Sequence, residues 1–181
     1  RSLIVGFGAL AKELVPRLRP FGVHIAASRQ SAWEDHSDCP VAAMVDERVP
    51  GGTLTEALAE ADIVVLTCTL TPESRGLVGA EFLAAMKRDA LLINCARGGL
   101  LQYDPVLEAL QDGTLGGLAT DVFWTEPCDP NDPIVSHPKV LITPHVAGVT
   151  ILSYKNMANV VAEEVKRIHR GEKPARQVNS T

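Results

Sequence analysis

The amino-acid sequence predicts an α/β fold, a doubly wound parallel sheet covered by helices on both faces. Short apolar runs rich in β-branched residues alternate with segments of helical periodicity along the chain. The runs are apolar at nearly every position, which is typical of parallel strands buried on both faces. The predicted strands are Leu3–Val5, Val23–Ala27, Ile63–Thr67, Leu91–Asn94, Leu118–Val122 and Val140–Ile142.

Capping residues place helices between these strands. Thr53, with Glu56 three residues later, predicts a capping box ahead of a helix over Leu54–Glu60. Asp104 followed by Pro105 predicts a second N-cap with proline at the first helical position.

The last predicted helix is long and amphipathic. It follows Thr150 and ends at Gly171, because glycine is the residue that most often closes a helix. Its apolar face includes Ile151, Tyr154, Val161, Val165 and Ile168.

Two stretches depart from the regular pattern. Pro16 falls inside the first predicted helix, where it removes the hydrogen bond to the Lys12 carbonyl and costs roughly 3 kcal/mol unless the helix kinks. The stretch Trp33–Pro50 is polar and irregular, and we expect a surface excursion with one short strand near Met44.

Composition limits the function classes. The chain has 181 residues, 46% of them hydrophobic, which predicts one domain with a substantial core. The net charge of -5, with both signs interspersed, gives no electrostatic footprint for nucleic acid or an anionic membrane. No apolar run approaches the ~20 residues that a membrane-spanning helix needs. The chain opens at Arg1 without an initiator methionine or a signal peptide, and we expect a further segment before it.

The cysteines lack a CxxC pair and any metal-ligand spacing, so no metal site is predicted. We expect them to be buried thiols of a protein in a reducing compartment, the cytoplasm, with a plastid or a peroxisome as open alternatives. The ending Asn179-Ser180-Thr181 is not a peroxisomal address. The cysteines are Cys39, Cys68, Cys95 and Cys128.

A glycine-rich turn follows the first predicted strand and opens the first helix. It contains Gly6 and Gly8, with Ala11 at the position of a third glycine. Such a turn lets backbone N–H groups approach a pyrophosphate at the positive end of a helix, which predicts a dinucleotide site of the Rossmann type. The alternative is a glycine turn that only introduces a structural helix.

The residues at the end of the second strand indicate which dinucleotide binds. An acidic residue there would hold the ribose hydroxyls of NAD(H), but this chain has Ser28 and Arg29. A hydroxyl and a guanidinium would bind a 2′-phosphate, so we expect NADP(H) to be preferred, with NAD(H) possible. The alternative is that Arg29 is a solvated loop residue that stacks on the adenine.

Several motifs stand in one fixed order along the chain. Residues Asn94–Leu100 lie at the end of a predicted strand, and Gly117–Asp121 leads into Val122–Pro127. The segments Thr71–Leu77 and Thr143–Gly148 complete the set. With these motifs the sequence resembles the D-isomer-specific 2-hydroxyacid dehydrogenases, which include glyoxylate/hydroxypyruvate reductases and phosphoglycerate dehydrogenases. The resemblance covers essentially the whole chain.

The resemblance implies three catalytic residues. Arg97 matches the family's substrate arginine, Glu126 its acidic partner and His145 its acid/base histidine. An imidazolium can protonate the oxygen of a 2-oxo acid, a carboxylate can orient it, and a guanidinium can hold the substrate carboxylate. The alternatives are a loop histidine satisfied by the backbone and a solvated surface acid.

The resemblance also implies cofactor contacts. The backbone of Ala9 and Leu10 would touch the pyrophosphate, Asp121 would hold the carboxamide, and Gly148 would pack close to the nicotinamide ring. Cys68 and the turn Cys95-Ala96-Arg97 would line the ribose and nicotinamide side. Cys68 and Cys95 are alternatively ordinary core residues at strand ends.

The domain organisation that the resemblance implies is incomplete. Residues 1–171 would form the dinucleotide-binding domain and residues 172–181 a tail, with the substrate domain largely absent. The family usually forms a homodimer through this domain. Thr69 stands where the family usually has proline, a departure near the cofactor.

The sequence therefore predicts an oxidoreductase that transfers a hydride between NADP(H) and a small 2-oxo or 2-hydroxy acid such as hydroxypyruvate or glyoxylate. An alternative is a non-catalytic module that binds dinucleotide and dimerises. A methyltransferase with a similar glycine loop would leave the motifs around Arg97 and His145 without a role.

Overall fold

The computed structural model describes residues 1–34, 39–50 and 52–176. Its strands are β1 (Ser2–Val5), β2 (Ile25–Ser28), β3 (Glu47–Val49), β4 (Ile63–Leu66), β5 (Leu91–Asn94), β6 (Gly117–Thr120) and β7 (Val140–Ile142). Its α-helices are α1 (Ala9–Leu18), α2 (Leu54–Glu60), α3 (Ala80–Ala85), α4 (Tyr103–Gln111) and α5 (Ile151–His169).

The strands form one parallel sheet in the order β3-β2-β1-β4-β5-β6-β7. The chain runs outward from β1 to β3, then returns to the other side of β1 with β4. Ile4 of β1 is opposite both Ala27 and Val65, so β1 lies at the point where the winding reverses. Doubly wound sheets bind ligands at the carboxyl ends of the strands beside this point.

The predicted strands are confirmed, with shifted ends. β2 begins at Ile25 rather than Val23 and includes Ser28. The short strand expected near Met44 is β3, three residues further on, and a 3₁₀ turn occupies Pro40–Met44. Residues 35–38 of the predicted excursion lie outside the described residues.

The prediction that every strand is buried on both faces is wrong for β7 and for the start of β5. Leu141 of β7 is 70% exposed, and Leu91 of β5 is 44% exposed. Within the described residues, β7 is the edge strand beside β6. By contrast, all four residues of β1 and of β2 are buried.

Two apolar clusters hold the sheet to its helices. Ile4 and Ile25 pack with Ala11 and Val15 of α1. The larger cluster joins the strands to α2, α3 and α4, and its fully buried members include Leu66, Leu92, Leu100, Leu110 and Leu118. Burial of a leucine side chain stabilises the fold by about 1.5–3 kcal/mol, so this cluster fixes the strand ends that carry the site.

The predicted helix starts are correct in part. Thr53 is the N-cap residue of α2, which covers Leu54–Glu60 as predicted, but the capping box is wrong because the Thr53 hydroxyl donates a hydrogen bond to the Pro50 carbonyl at 3.1 Å. α4 begins at Tyr103 after an N-cap at Gln102, which places Asp104 and Pro105 in the first turn. Proline is tolerated there because first-turn N–H groups have no acceptor within the helix.

α1 continues past Pro16 to Leu18. Val15 beside that proline is fully buried, and packing of this kind offsets the lost backbone hydrogen bond.

The cysteine prediction is correct for bonding and wrong for burial. All four cysteines are free, but Cys95 is exposed and the other three are half-buried. Both Cys68 and Cys95 lie just past strand ends, where the sheet opens to solvent, rather than inside the strands.

The chain divides into two compact units, Arg1–Pro144 and His145–Thr181, and each is described by itself. The second unit contains α5, which begins after Thr150 as predicted, with the Thr150 hydroxyl accepting from the Ser153 N–H at 3.0 Å.

The carboxyl end of α5 is closed by Gly171, which has a φ of 75°. The Gly171 N–H donates to the Ile168 carbonyl and the Glu172 N–H to the Arg167 carbonyl, which is a Schellman motif. The predicted apolar face of α5 is exposed along its length, from Ile151 at 78% to Ile168 at 59%. Among the described residues, no helix combines the length and the apolarity needed to cross a membrane.

Candidate active site

The glycine turn after β1 is built by close packing against the end of β4. Gly6 has a φ of 101°, and a Cβ atom there would lie 2.7 Å from the Cys68 backbone nitrogen. The Gly6 N–H donates to the Ser28 carbonyl at 3.0 Å, and the Thr67 hydroxyl donates to the Gly6 carbonyl at 2.6 Å. Only glycine fits this backbone, so the turn holds the ends of β1, β2 and β4 together.

The turn leads directly into the amino end of α1. Gly8 is the N-cap residue, and Ala9 and Leu10 are the first two helical residues; all three are exposed. Ala11, at the third-glycine position, is fully buried against the sheet. The exposed amino end of α1 therefore lies beside the carboxyl ends of the strands, and the first-turn N–H groups of a helix in this position are the groups that bind a pyrophosphate.

A groove of about 420 Å³ runs from this turn along the carboxyl ends of β2 and β4. It brings together five of the predicted cofactor residues, which are Gly6, Gly8, Ser28, Arg29 and Cys68. It also contains Thr69, which the sequence analysis placed near the cofactor, and polar residues that sequence reasoning missed, namely Gln30, Ser31, Thr67, Thr71, Glu73 and Ser74.

Arg29 is half-buried at the β2 end of this groove. One guanidinium nitrogen, Nη2, donates to the Ser31 hydroxyl. The other, Nη1, is buried and has no hydrogen-bond partner among the described residues. A buried guanidinium N–H without an acceptor is costly, so the site favours an anionic ligand oxygen.

A second cavity of about 270 Å³ adjoins the first, sharing its Thr67, Cys68 and Thr69 wall. Four further predicted residues line it, which are Leu10, Cys95, Ala96 and Arg97. The two cavities together make one continuous surface across the carboxyl ends of β2, β1, β4 and β5.

The turn that carries Arg97 is held by a buried side chain. Asn94, fully buried at the end of β5, accepts from the Ala96 N–H and donates to the Arg97 carbonyl, both at 3.0 Å. The Arg97 side chain is exposed, with Nη1 donating to the Ala96 carbonyl at 2.6 Å. The backbone of Arg97 is therefore fixed while most of its guanidinium stays available to a ligand.

The next residue packs against the loop that carries Glu126. A Cβ atom on Gly98 would lie 1.9 Å from the Phe123 carbonyl oxygen, so only glycine allows this approach. Glu126 is exposed, and its Oε1 accepts from the Phe123 N–H at 3.0 Å. The structure thus brings the Arg97 turn and the Glu126 loop into backbone contact.

Asp121 lies just past the end of β6 and is buried, with 4% of its surface exposed. Its Oδ1 accepts from the Thr143 hydroxyl at 2.6 Å, and its N–H donates to the Asn94 carbonyl.

The two cysteines beside the site have raised pKa values. For the Cys95 thiol, partial burial is the larger cause and the nearby Asp121 carboxylate the smaller one. For the Cys68 thiol, burial raises the pKa. Both thiols are therefore neutral at pH 7, which suits them as packing surfaces rather than as nucleophiles.

His145 and Gly148 belong to the second unit, in the exposed stretch before α5. His145 has a φ of 54°, in the left-handed region that residues with a Cβ atom rarely adopt. Such backbone conformations cluster at functional sites, which agrees with the role that the resemblance implies for this histidine.

The described residues contain no group of three or more histidine, cysteine, aspartate or glutamate side chains arranged to hold a metal ion.

A glycine turn at the switch point of a parallel sheet is typical of dinucleotide-binding domains. The family model described as D-isomer specific 2-hydroxyacid dehydrogenase, NAD binding domain, matches residues 1–147. The chain belongs to the D-isomer specific 2-hydroxyacid dehydrogenase family. The family resemblance and the Rossmann fold that the sequence predicts are thereby confirmed.

Two curated relatives of this family member span nearly all of it. A D-3-phosphoglycerate dehydrogenase of Methanocaldococcus jannaschii is 32% identical over 176 residues, which cover 97% of this chain and 32% of the relative. A glyoxylate reductase of Korarchaeum cryptofilum is 34% identical over 176 residues, covering 97% of this chain and 51% of the relative. The chain therefore spans a third to a half of the length of these relatives.

A solved structure shares the fold closely. The D-isomer specific 2-hydroxyacid dehydrogenase from Xanthobacter autotrophicus Py2, in complex with NADPH and MES, has a TM-score of 0.84 and 32% sequence identity. The match covers 99% of this chain and 70% of that chain.

The polar residues that sequence reasoning missed had a partial signal. The segment from Thr71 to Ser74 belongs to a motif of the family resemblance, but no role was assigned to it. It forms a turn in which the Thr71 N–H donates to the Ser74 hydroxyl at 2.8 Å. Its position after β4, beside β1 at the switch point, is the feature that would have marked it as part of the groove.

Proposed function

We propose that this chain is the dinucleotide-binding part, residues 1–171 with a tail over 172–181, of an NADP(H)-preferring 2-hydroxyacid dehydrogenase. Its substrates are small 2-oxo acids such as hydroxypyruvate or glyoxylate. Family membership supports the reaction class, and the continuous surface from Arg29 to Arg97 supports the placement of nucleotide and substrate along one edge of the sheet.

One observation carries the preference for NADP(H): the buried Nη1 of Arg29, in the groove at the end of β2, has no hydrogen-bond partner in the part of the chain that the structure describes. A 2′-phosphate would supply the missing acceptor, and the Ser28 position bears no carboxylate to repel it. The related Xanthobacter structure is an NADPH complex, which agrees with the proposal.

The glycine turn and helix α1 are proposed to bind the pyrophosphate through the backbone of Gly6, Gly8, Ala9 and Leu10. Ser28 and Arg29 would bind the adenosine ribose phosphate. Cys68, Cys95 and Ala96 would line the nicotinamide ribose side, with Asp121 at the carboxamide and Gly148 close to the ring.

In this proposal, residues of the chain bind the substrate and transfer the proton. When bound, the nicotinamide supplies the hydride to the keto carbon. Arg97 holds the substrate carboxylate and polarises the adjacent carbonyl, and the protonated His145 imidazole gives its proton to the carbonyl oxygen as the alcohol forms. Glu126 is proposed as the acidic partner that the family resemblance implies for this histidine.

We also propose that the chain works as a homodimer in a reducing compartment, the cytoplasm, where free thiols are stable. Sedimentation velocity on the purified chain measures the oligomeric state, and a monomer at micromolar concentration would contradict this part of the proposal.

The test of the cofactor proposal is calorimetric titration of the chain with NADPH and NADH, using wild type, Arg29→Gln and Arg29→Asp. Loss of a charged hydrogen bond weakens binding by about 1.5–3 kcal/mol, so Arg29→Gln is expected to weaken NADPH roughly tenfold or more and to leave NADH nearly unchanged. Arg17→Gln is the matched control, because Arg17 pairs with Glu13 on the far part of α1.

An unchanged NADPH:NADH ratio in Arg29→Asp would show that Arg29 does not bind the 2′-phosphate. If the chain binds neither nucleotide, the proposed function is wrong at its first step. If it binds NADPH but His145→Asn reduces hydroxypyruvate at the wild-type rate, the nucleotide site stands and the catalytic assignment fails.

A further inference from the structure

The Arg29 guanidinium packs on an aromatic ring that lies outside the groove. Its Cζ lies 5.7 Å from the centroid of the Trp33 ring, within the range of a cation–π interaction. The guanidinium of Arg48, from β3, lies 5.6 Å from the same centroid. One indole therefore contacts two arginines, one of which lines the nucleotide groove.

The Trp33 ring is itself held from two other sides. Its Nε1 donates to the Val49 carbonyl at the end of β3 at 3.3 Å. Its centroid lies 5.0 Å from that of Phe7, the residue between the two glycines of the turn. The ring thus connects the glycine turn, β3 and the end of β2, so its position is set by the sheet and not only by the loop that carries it.

This arrangement decides where the Arg29 side chain can lie. An arginine has about 2 kcal/mol of rotamer entropy, which a flexible side chain loses when it binds a phosphate. Contact with Trp33 on one side and with Ser31 on the other removes part of that freedom in advance. Arg48, whose Nη2 donates to the Ala42 carbonyl at 3.2 Å, adds a second positive charge close by.

We propose that Trp33 is a specificity-determining positioning residue, which holds the Arg29 guanidinium ready for the 2′-phosphate of the nucleotide, with Arg48 reinforcing the positive charge. This inference rests on the proposed NADP(H) function and extends it to a residue that touches no nucleotide. The matching ligand chemistry is a ribose 2′-phosphate, and 5′-AMP lacks it.

The test compares two small probes, adenosine 2′,5′-bisphosphate and 5′-AMP, by calorimetry on the full chain. Wild type is expected to favour the bisphosphate. Trp33→Leu removes the ring and is expected to weaken the bisphosphate about threefold to tenfold, while 5′-AMP binding changes less than about twofold. Trp33→Phe keeps an aromatic ring with a weaker cation–π interaction, and its affinity for the bisphosphate is expected to lie between those of wild type and Trp33→Leu.

Arg48→Gln is expected to weaken the bisphosphate by about twofold, and Arg17→Gln, the charge-matched control, to leave it unchanged. A bisphosphate:5′-AMP ratio that stays at the wild-type value in both Trp33 variants would overturn the proposal. If Arg29→Gln lowers that ratio and the Trp33 variants do not, only this inference fails. If Arg29→Gln also leaves it unchanged, the proposed NADP(H) preference fails with it.

A second measurement needs no variant at Trp33. The chain has two tryptophans, so Trp124→Phe leaves Trp33 as the sole indole emitter. Binding of the 2′-phosphate to Arg29 is expected to shift the Trp33 emission when the bisphosphate is added, and saturating 5′-AMP is expected to leave it nearly unchanged. Equal responses to both probes would overturn the proposal.

Discussion

Asn94 offers a stringent test of how the catalytic turn is held. Its amide is fully buried, and its two hydrogen bonds close the backbone from Ala96 to Arg97. In Asn94→Ala the Ala96 N–H loses its acceptor in a place that water reaches poorly. The net value of each bond is about 1 kcal/mol, and an unsatisfied buried donor adds about 1–3 kcal/mol.

These terms give a loss of about 3–5 kcal/mol in the free energy of unfolding. For a chain of this size, each kcal/mol lowers Tm by about 2–4 °C, so Asn94→Ala should melt roughly 6–20 °C below wild type. Urea unfolding followed by circular dichroism gives the free energy, and a thermal melt gives Tm.

Asn131→Ala is the matched control, because the Asn131 side chain makes only an exposed hydrogen bond to Asp129. It should cost less than about 0.5 kcal/mol. If Asn94→Ala costs no more than this control, the buried amide does not hold the turn, and the argument that Arg97 is fixed by its backbone fails. If it does cost more, the variant should also bind 2-oxo acid anions more weakly.

Three further predictions concern other parts of the first unit. Gly98→Ala should lower the free energy of unfolding by about 3 kcal/mol or more in a thermal or urea melt, because its Cβ would meet the Phe123 carbonyl. Gly99→Ala is the control and should cost clearly less, because the nearest atoms to its Cβ belong to the flexible Leu70 and Arg75 side chains. Equal costs would refute the steric argument. Hydrogen bonds from Arg19 and the Ile25 N–H hold the pKa of Asp46 in the folded chain below 3.8. The Asp46 carboxylate therefore contributes fully to the free energy of unfolding above the pKa of the unfolded chain, and this contribution is lost as the pH falls through the pKa of the folded chain. The stability gap between wild type and Asp46→Asn should therefore narrow from about pH 5 to pH 3 in urea melts, and a constant gap would contradict this. Glu73→Gln removes a carboxylate from the groove that contains Arg29, and it should make NADPH binding roughly twofold tighter in calorimetry. If NADH binding becomes tighter by the same factor, the Glu73 charge does not act on the 2′-phosphate.

The sequence predicted most of the fold because long apolar runs and glycine turns are local signals. Its failures occurred where residue type and apolarity leave two outcomes open. The Thr53 hydroxyl donates to the Pro50 carbonyl, three residues earlier, because the residue types that cap helices also form such local hydrogen bonds. Leu141 is exposed although β7 is apolar, because an apolar run does not tell how much of a strand is covered by other elements.

The residues of the candidate site could be named from the sequence only where a local pattern marked them. Gly6, Arg29 and Arg97 each stand at a recognisable strand end or in a motif. The Trp33 contact was missed because it joins residues from an irregular stretch, β3 and the glycine turn. Asn94 was named only as the end of a strand, since its capping role depends on a turn that sequence periodicity does not describe.

In the proposed function, the order of strands in the sheet separates the residue that selects the nucleotide from the residue that holds the substrate. Arg29 follows β2 and Arg97 follows β5, and β1 and β4 lie between them. Three strand spacings amount to roughly 14 Å, a distance at which substitutions usually act additively. The proposal therefore implies that changes at the end of β2 alone can alter the nucleotide preference and leave the proposed catalytic residues unaffected.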